Sequence, residues 1–425
     1  MTFPLQSFLA VSATNPWTYV VFALIGFAFG FTLEMSGFGN SQKLAAQFYF
    51  KDMTVLKVMF TAIAVAMVLT FGAVGLGFLD FNLVWVNPTY LASGILGGLI
   101  MGFGFIIGGF CPTTSLASAS TGKYDGMFFV LGGFVGAFLF GETEKFFTQW
   151  YNTAGYYGRL TLMDVFHLPA GVIVTMVVLM ALFMFWGAEQ LERIIGKKDL
   201  SKEPKTRVYA AVGLLVLAVG VMVVGTPSTE TKYSRLQINR TVNEQQVRMS
   251  ADDALAQRQM QIVPAELFKS MNDDALKLTM IDVRPEADYN LFHIRGAINV
   301  PADQLKAHIP EWLASSAPNS VYVVMSNDEE HSTEAWKILA AEAVSNAYIL
   351  EGGINNWISF FGEDDPSIEK ASAPAGSEQL QYKFPSALGD RYQCADPSPI
   401  EYEMLEFIPK IQLQLKRDKS GGGCG

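Results

Sequence analysis

Apolar side chains come in long runs through the first half of the chain and in short alternating groups through the second. The first half holds six runs: Trp17–Leu33, Val55–Leu79, Tyr90–Phe110, Met127–Phe140, Leu168–Trp186 and Val208–Val224. A helix that crosses a bilayer needs about twenty apolar residues, so each run predicts a membrane span, the fourth shorter than the others. Glycine-rich stretches around Gly37 and Gly108 predict breaks inside helices, which lipid tolerates only where protein or a water-lined cavity covers the backbone. In the second half, Thr279–Val283 and Ser320–Met325 predict strands and Ser332–Ala343 a helix, an α/β order. The polar stretch at 227–262 predicts a largely helical linker or stalk.

The expected architecture is a polytopic α-helical membrane domain at 1–226, with about six spans. A soluble α/β domain follows at 263–362, and an extension at 363–425. A repeat at an offset of 72 marks the membrane half. Gly26, Gly30, Phe31, Gly37 and Phe38 match Gly98, Gly102, Phe103, Gly109 and Phe110, and Leu44, Ala45 and Lys51 match Leu116, Ala117 and Lys123. Gly39 stands against Cys111. Repeated halves are a transporter signature, with the site between the copies near mid-membrane. Glycines spaced for helix packing explain Gly26 and Gly30, but not the matches that continue beyond them.

Charge divides the chain at the same boundary. Residues 1–226 hold 12 Lys and Arg against 11 Asp and Glu, and the remainder 18 against 29. The acidic half offers no basic face for phosphates, which excludes nucleic acid as a partner. Lys and Arg in short loops set orientation. The loop Gly187–Arg207 carries Arg193, Lys197, Lys198, Lys202, Lys205 and Arg207 and is expected in the cytoplasm, as are the connections marked by Lys43, Lys51 and Lys57 and by Lys123. Both repeats then run from outside to inside, in parallel, and both termini lie outside. In a bacterial inner membrane the soluble half is then periplasmic. The first residues lack the basic region and cleavage site of a signal peptide, so none is expected.

The segments Glu34-Met-Ser-Gly-Phe-Gly39 and Gly102-Phe-Gly-Phe-Ile-Ile-Gly-Gly-Phe-Cys-Pro-Thr-Thr114 resemble the YeeE/YedE family of bacterial membrane proteins, associated with uptake of thiosulfate and other sulfur compounds. The resemblance covers about 17–140. It implies a cysteine lining the substrate path at a break, a position that Cys111 matches and Gly39 does not. It also implies a half-sized member, which pairs with a second copy or another half-transporter subunit. Candidate path residues are Glu34, Ser36, Gly37 and Gly39 in the first break and Gly109, Cys111, Thr113 and Thr114 in the second, with Ser115 a further hydroxyl donor. Helix starts at such breaks attract anions through their N–H groups. The bland reading of Cys111 is a small buried hydrophobe, and Glu34 is either a solvated carboxylate or a proton or packing site.

In the soluble half, Ile281-Asp-Val-Arg-Pro-Glu-Ala-Asp-Tyr289, His293-Ile-Arg-Gly-Ala-Ile-Asn-Val-Pro301 and Glu351-Gly-Gly-Ile-Asn-Asn-Trp357 closely resemble a rhodanese domain. That family places its sulfur-carrying cysteine directly after the central strand. Here the position holds Ser326, which cannot carry a persulfide. Asp328, Glu329 and Glu330 follow and are expected to repel an anionic donor, so the domain is expected to be inactive as an enzyme. Asp282, Arg284 and His293 are expected to be structural. His293, His308 and His331 have no usual metal spacing, and no metal or other cofactor is expected.

Three cysteines are too few for a disulfide framework. The tail Lys416-Arg-Asp-Lys-Ser-Gly-Gly-Gly-Cys-Gly425 resembles the carrier arm of periplasmic SoxY proteins, which implies a sulfur-carrying role for Cys424. A plain flexible tail and a Cys394–Cys424 disulfide are the alternatives. Two functions follow. One is passage of a sulfur anion through the membrane half, with the soluble half as a binding module. The other is a membrane-anchored sulfur relay or assembly subunit that uses Cys424. Lipid and a periplasmic sulfur-metabolism protein are the further expected partners.

Overall fold

The computed structural model describes residues 17–413, except 198–204, 243–244, 316, 318, 364, 366–367, 372–373, 375 and 403. Helices and strands arrange into two compact units that meet in sequence at Pro227 and Ser228. Each is described by itself.

The membrane unit is helical throughout. Its elements are α1 (Trp17–Met35), α2 (Ser41–Ala46), α3 (Thr54–Gly75), α4 (Leu91–Gly108), α5 (Pro112–Ser120) and α6 (Tyr124–Thr143). Short α7 (Thr148–Thr153) and α8 (Leu162–Phe166) lead to α9 (Ala170–Ile194) and α10 (Thr206–Val224). Among the described residues five helices are long and apolar enough to cross a membrane, and α1 is a further apolar helix. The fourth span is not short: α6 is 20 residues long, because Tyr124-Asp-Gly126 and Gly141-Glu-Thr143 extend the helix past its apolar run.

Helices α3, α9 and α10 pack on one another through Ala64, Val68, Val174, Val178, Ala218 and Val221. Small residues let the backbones close in, the usual solution where lipid removes the hydrophobic driving force. A Cβ on Gly171 would stand 2.5 Å from Met222 Cα, and Thr175 Oγ1 donates to Gly171 O at 2.9 Å. Glu192, fully buried at the end of α9, accepts from Met53 N at 2.6 Å and Lys57 Nζ at 2.7 Å. Much of α1, α4 and α6 faces outward, with Phe27, Phe31, Leu99, Ile107, Phe128 and Phe134 exposed, as lipid contact requires. The packing explanation for Gly26 and Gly30 fails inside this chain, since a Cβ at either would meet no atom within 4 Å.

The soluble unit opens with α11 (Thr229–Ser234), β1 (Gln237–Val242), β2 (Gln245–Ser250) and α12 (Ala251–Ala256). The helical stalk expected at 227–262 is therefore corrected. Gln237-Ile-Asn-Arg-Thr-Val242 places Ile238 and the buried Arg240 on one face and Asn239 and Thr241 on the other, and it pairs antiparallel with β2. Met249, Ala251 and Ala254 join the core of the α/β layer.

That layer contains β3 (Gln261–Ile262), α13 (Pro264–Met271), β4 (Lys277–Asp282), α14 (Glu286–Leu291), β5 (Ile298–Asn299), α15 (Leu305–Ser315), β6 (Ser320–Met325), α16 (Glu330–Ala341), β7 (Ala347–Leu350) and α17 (Gly353–Phe361). The strands form one parallel sheet in the order β3-β7-β6-β4-β5. Every residue of β6 and β7 is buried, the mark of a sheet covered on both faces. The C-terminal extension adds β8 (Glu369–Lys370) and β9 (Tyr382–Lys383). It lies on the sheet's helices: Trp357 Nε1 donates to Cys394 O at 2.7 Å, and Glu266 Oε1 accepts from Lys410 N and Ile411 N.

Candidate functional site

Two helix breaks, one in each repeat, carry most of the candidate residues. In the first, α1 stops where Gly37 takes φ +77. Gly37 N then donates to Glu34 O and Phe38 N to Leu33 O, closing the helix end. In the second, α4 stops where Gly109 takes φ +71 and its N–H donates to Phe105 O. Only glycine takes these conformations without strain. Each break then buries a phenylalanine, Phe38 and Phe110, which share one cluster with Leu44 and Val55. The repeat read from sequence thus corresponds to two like breaks.

The breaks also touch each other. Ser118 Oγ, buried, donates to Gly39 O at 3.2 Å. A Cβ on Gly109 would come within 3.0 Å of Ser41 O and Cβ. Ser41 Oγ donates to Asp125 Oδ2 at 2.8 Å, and Lys43 Nζ to Ser36 O at 3.0 Å. Glu34 is resolved by geometry: its Oε1 pairs with Lys123 Nζ at 3.0 Å, with both side chains part-exposed. Ser118, Ser41, Asp125 and the pairing role of Lys123 escape sequence reasoning, because their partners lie about one repeat away.

The short helices restart differently. Asn40 Oδ1 caps α2, accepting from Gln42 N and Lys43 N. Cys111 caps α5: its Sγ accepts from Thr114 N at 3.5 Å, and Cys111 N donates back to Thr114 Oγ1, whose single proton is shared between Cys111 O at 3.1 Å and Sγ at 3.3 Å. Pro112 follows at the first helical position, where a missing N–H costs nothing. Thr114 and Ser115 are buried. Ser115 Oγ donates to Pro112 O, so both hydroxyls serve the start of the helix. Thr113 lies at the second position of α5. Cys111 is half-buried, so a thiol sits at the positive end of a nine-residue helix and accepts from its Thr114 amide.

The second candidate region is the loop after β6. Ser326 Oγ accepts from Ser332 N at 3.1 Å. Of Asp328, Glu329 and Glu330, the carboxylates expected to repel an anionic donor, two have partners outside the loop. Asp328 accepts from Asn355 Nδ2 at 2.9 Å and from Glu378 N at 3.1 Å. Glu329 pairs with Arg258 at 2.6 Å and accepts from Gly352 N. Both are drawn away by partners distant in sequence. Gly352 and Gly353, at φ +67 and +61, press α17 against the loop, so that Ile354 N and Asn355 N donate to Ser326 O and Asn327 O.

Arg284 is buried and doubly bonded to Asp282. It also donates to Phe292 O and Asn327 Oδ1, tying three segments together. His293 stacks on Tyr289 with ring centres 3.7 Å apart. His308 stacks on Trp312, and His331 lies beside Glu378. Burial, and then the nearby Asp365, push the Cys394 thiol up to about 12, so it stays protonated and inert at neutral pH. Cys424 lies outside the described residues.

Comparison with curated proteins finds none that matches the chain. Two protein families do match. The family described as sulphur transport covers residues 35–255, more than half of the chain, and the family described as rhodanese-like domain covers 263–360. The match in the membrane half includes both breaks and extends well past the stretch that the sequence motifs marked. This chain therefore belongs to the sulphur transport (YeeE/YedE) family and carries a rhodanese-like domain fused behind its membrane helices.

Proposed function

We propose that the membrane unit passes a small sulfur oxyanion of the thiosulfate class across the bacterial inner membrane. The anion passes the paired helix breaks in contact with Cys111, and the rhodanese-like domain, on the periplasmic side, binds without transferring sulfur. The capping arrangement of Cys111 carries this reading. Thr114 N donates to the sulfur, and the S–H is the group that can donate toward an arriving anion. The start of α5 adds its positive end. Thiol and substrate sulfur are both soft and polarizable. In the soluble domain, the hydroxyl of Ser326 supports binding without turnover, because it has no thiolate chemistry near neutral pH.

Uptake of labelled thiosulfate in proteoliposomes tests the reading. Serine is a good helix cap, so Cys111→Ser should insert normally and transport less well. Cys111→Ala removes the donor. A hydrogen bond to a charged group contributes about 1.5–3 kcal/mol, so apparent affinity should fall about ten- to a hundredfold. Unchanged uptake by correctly inserted Cys111→Ala removes the thiol from the mechanism.

A further inference from the structure

The loop after β6 is built to hold an anion, and the chain fills it with its own carboxylate. The backbone N–H groups of Asp328 and His331 and the hydroxyl of Ser326 converge where α16 begins, and amides at a helix start attract negative charge. Glu378, from the C-terminal extension, occupies that point. Its Oε1 accepts from Ser326 Oγ at 3.1 Å and from His331 N at 3.0 Å, and its Oε2 accepts from Asp328 N at 3.2 Å. The Glu378 side chain is 7% exposed, although the extension lies on the surface of the domain.

The backbone of Glu378 is seated as firmly. Its N–H donates to Asp328 Oδ2 at 3.1 Å and its carbonyl accepts from Asn327 Nδ2 at 3.0 Å. Three residues on, Gln381 N donates to Asn355 Oδ1 at 2.8 Å. Glu378 takes φ +53, a left-handed conformation that costs a residue with a side chain about 1–2 kcal/mol. The extension therefore bends against local preference to deliver one carboxylate to two amides and a hydroxyl.

We infer that Glu378 is a tethered substitute for a free oxyanion, and that the loop 326–331 is an oxyanion site held shut by the C-terminal extension. The ligand class is a small anion with two adjacent oxygens, such as sulfate or thiosulfate, whose oxygen edge resembles that of a carboxylate. A tethered group acts at an effective concentration in the millimolar range. A free anion displaces it only when abundant, and the site then reports anion supply by releasing the strap. The inference rests on the soluble domain being a binding module and is independent of transport.

Hydrogen exchange on the full-length protein tests it, with sodium sulfate as the probe and sodium chloride at equal ionic strength as the control. In Glu378→Gln, sulfate should slow exchange at the Asp328 and His331 amides. Half-effect should come at a sulfate concentration at least tenfold lower than the wild-type protein needs to expose the Glu378 and Gln381 amides. In the wild type the strap amides should open while the loop amides stay protected, which general loosening would not produce. Loop amides in Glu378→Gln that ignore sulfate, or a wild type with the same sulfate dependence as the variant, overturn the inference. Thiosulfate:cyanide sulfur transfer assayed on the same samples judges the non-catalytic reading separately.

Discussion

Gly109→Ala examines whether the two breaks must stay in register. Gly109 sits at φ +71, and an alanine there carries a left-handed cost of about 1–2 kcal/mol. The new methyl would also stand 3.0 Å from Ser41 O and 3.0 Å from Ser41 Cβ. The carbonyl belongs to the first residue of α2 and cannot rotate aside, so α2 must give way by a few tenths of an ångström. That movement loads the Ser41–Asp125 bond and the Ser118–Gly39 contact, each contributing about 1 kcal/mol. If both contacts are lost the sum is roughly 3–4 kcal/mol against the register of the breaks. Gly187→Ala is the control, since a Cβ there meets no atom within 4 Å and helix propensity gains up to about 1 kcal/mol. With insertion matched by quantitative blotting, thiosulfate uptake should fall about tenfold or more in Gly109→Ala and hold in Gly187→Ala. Wild-type uptake and wild-type melting in Gly109→Ala would refute the view that the breaks act as one interlocked element.

Lys57→Met removes the Lys57 ammonium from the fully buried Glu192 carboxylate. Removing one partner of a buried pair costs about 3 kcal/mol or more, so the detergent-solubilised protein should melt well below wild type, while Lys57→Arg should recover most of the loss. Burial, only partly offset by the Ile411 and Lys410 amides, raises the Glu266 carboxyl above its ordinary value, and its Oε2 is buried without a hydrogen-bond partner. A carboxyl raised on folding costs stability that grows as pH climbs from its unfolded value through its folded one. Glu266→Gln should therefore stabilise the soluble unit at neutral pH and flatten its pH dependence above the ordinary carboxylate range, as urea titration of tryptophan fluorescence would show. An impermeant maleimide on intact spheroplasts should label Cys424 and spare Cys394 if the soluble unit is periplasmic; labelling that needs lysis reverses the orientation.

Legibility in the sequence followed the range of the interaction. Spans were readable because crossing a bilayer is a demand on a run of neighbours. The one misjudged span, α6, ends in polar residues that a helix accepts and a hydropathy run does not. The breaks were readable because glycine in a left-handed turn is a local requirement, met at both Gly37 and Gly109. The Glu351-Gly-Gly motif belongs with them: a Cβ on Gly353 would fall 2.1 Å from Asp328 O. What stayed hidden was long-range pairing. Glu34 was ambiguous alone and is settled by Lys123, 89 positions away. Asp328 and Glu329 looked repulsive in the loop until Asn355, Arg258 and the backbone of Glu378 claimed them. The hairpin of β1 and β2 was read as a polar stalk because an arginine, Arg240, takes an inward position of β1 where the alternating pattern calls for an apolar residue.

The two breaks share one scaffold and differ at one position. Both keep the left-handed glycine and the buried phenylalanine, so the skeleton of the break is common. The next position differs, and the reason is spatial. A Cβ on Gly39 would lie 2.3 Å from Glu34 Oε2 and 2.8 Å from Lys123 Nζ, so the ion pair occupies the place that a side chain would take. At the first break the Glu34 carboxylate is paired with a lysine from the second repeat. The second carries Cys111, whose Sγ accepts from Thr114 N. The pair of breaks is therefore asymmetric, with a soft donor on one side only. In the soluble unit, the loop after β6 directs the Asp328 and His331 amides and the Ser326 hydroxyl at a carboxylate of its own chain, Glu378. In both units a carboxylate of the chain itself occupies donor groups that come from a segment distant in sequence: Glu34 takes the Lys123 ammonium, and Glu378 takes the Asp328 and His331 amides.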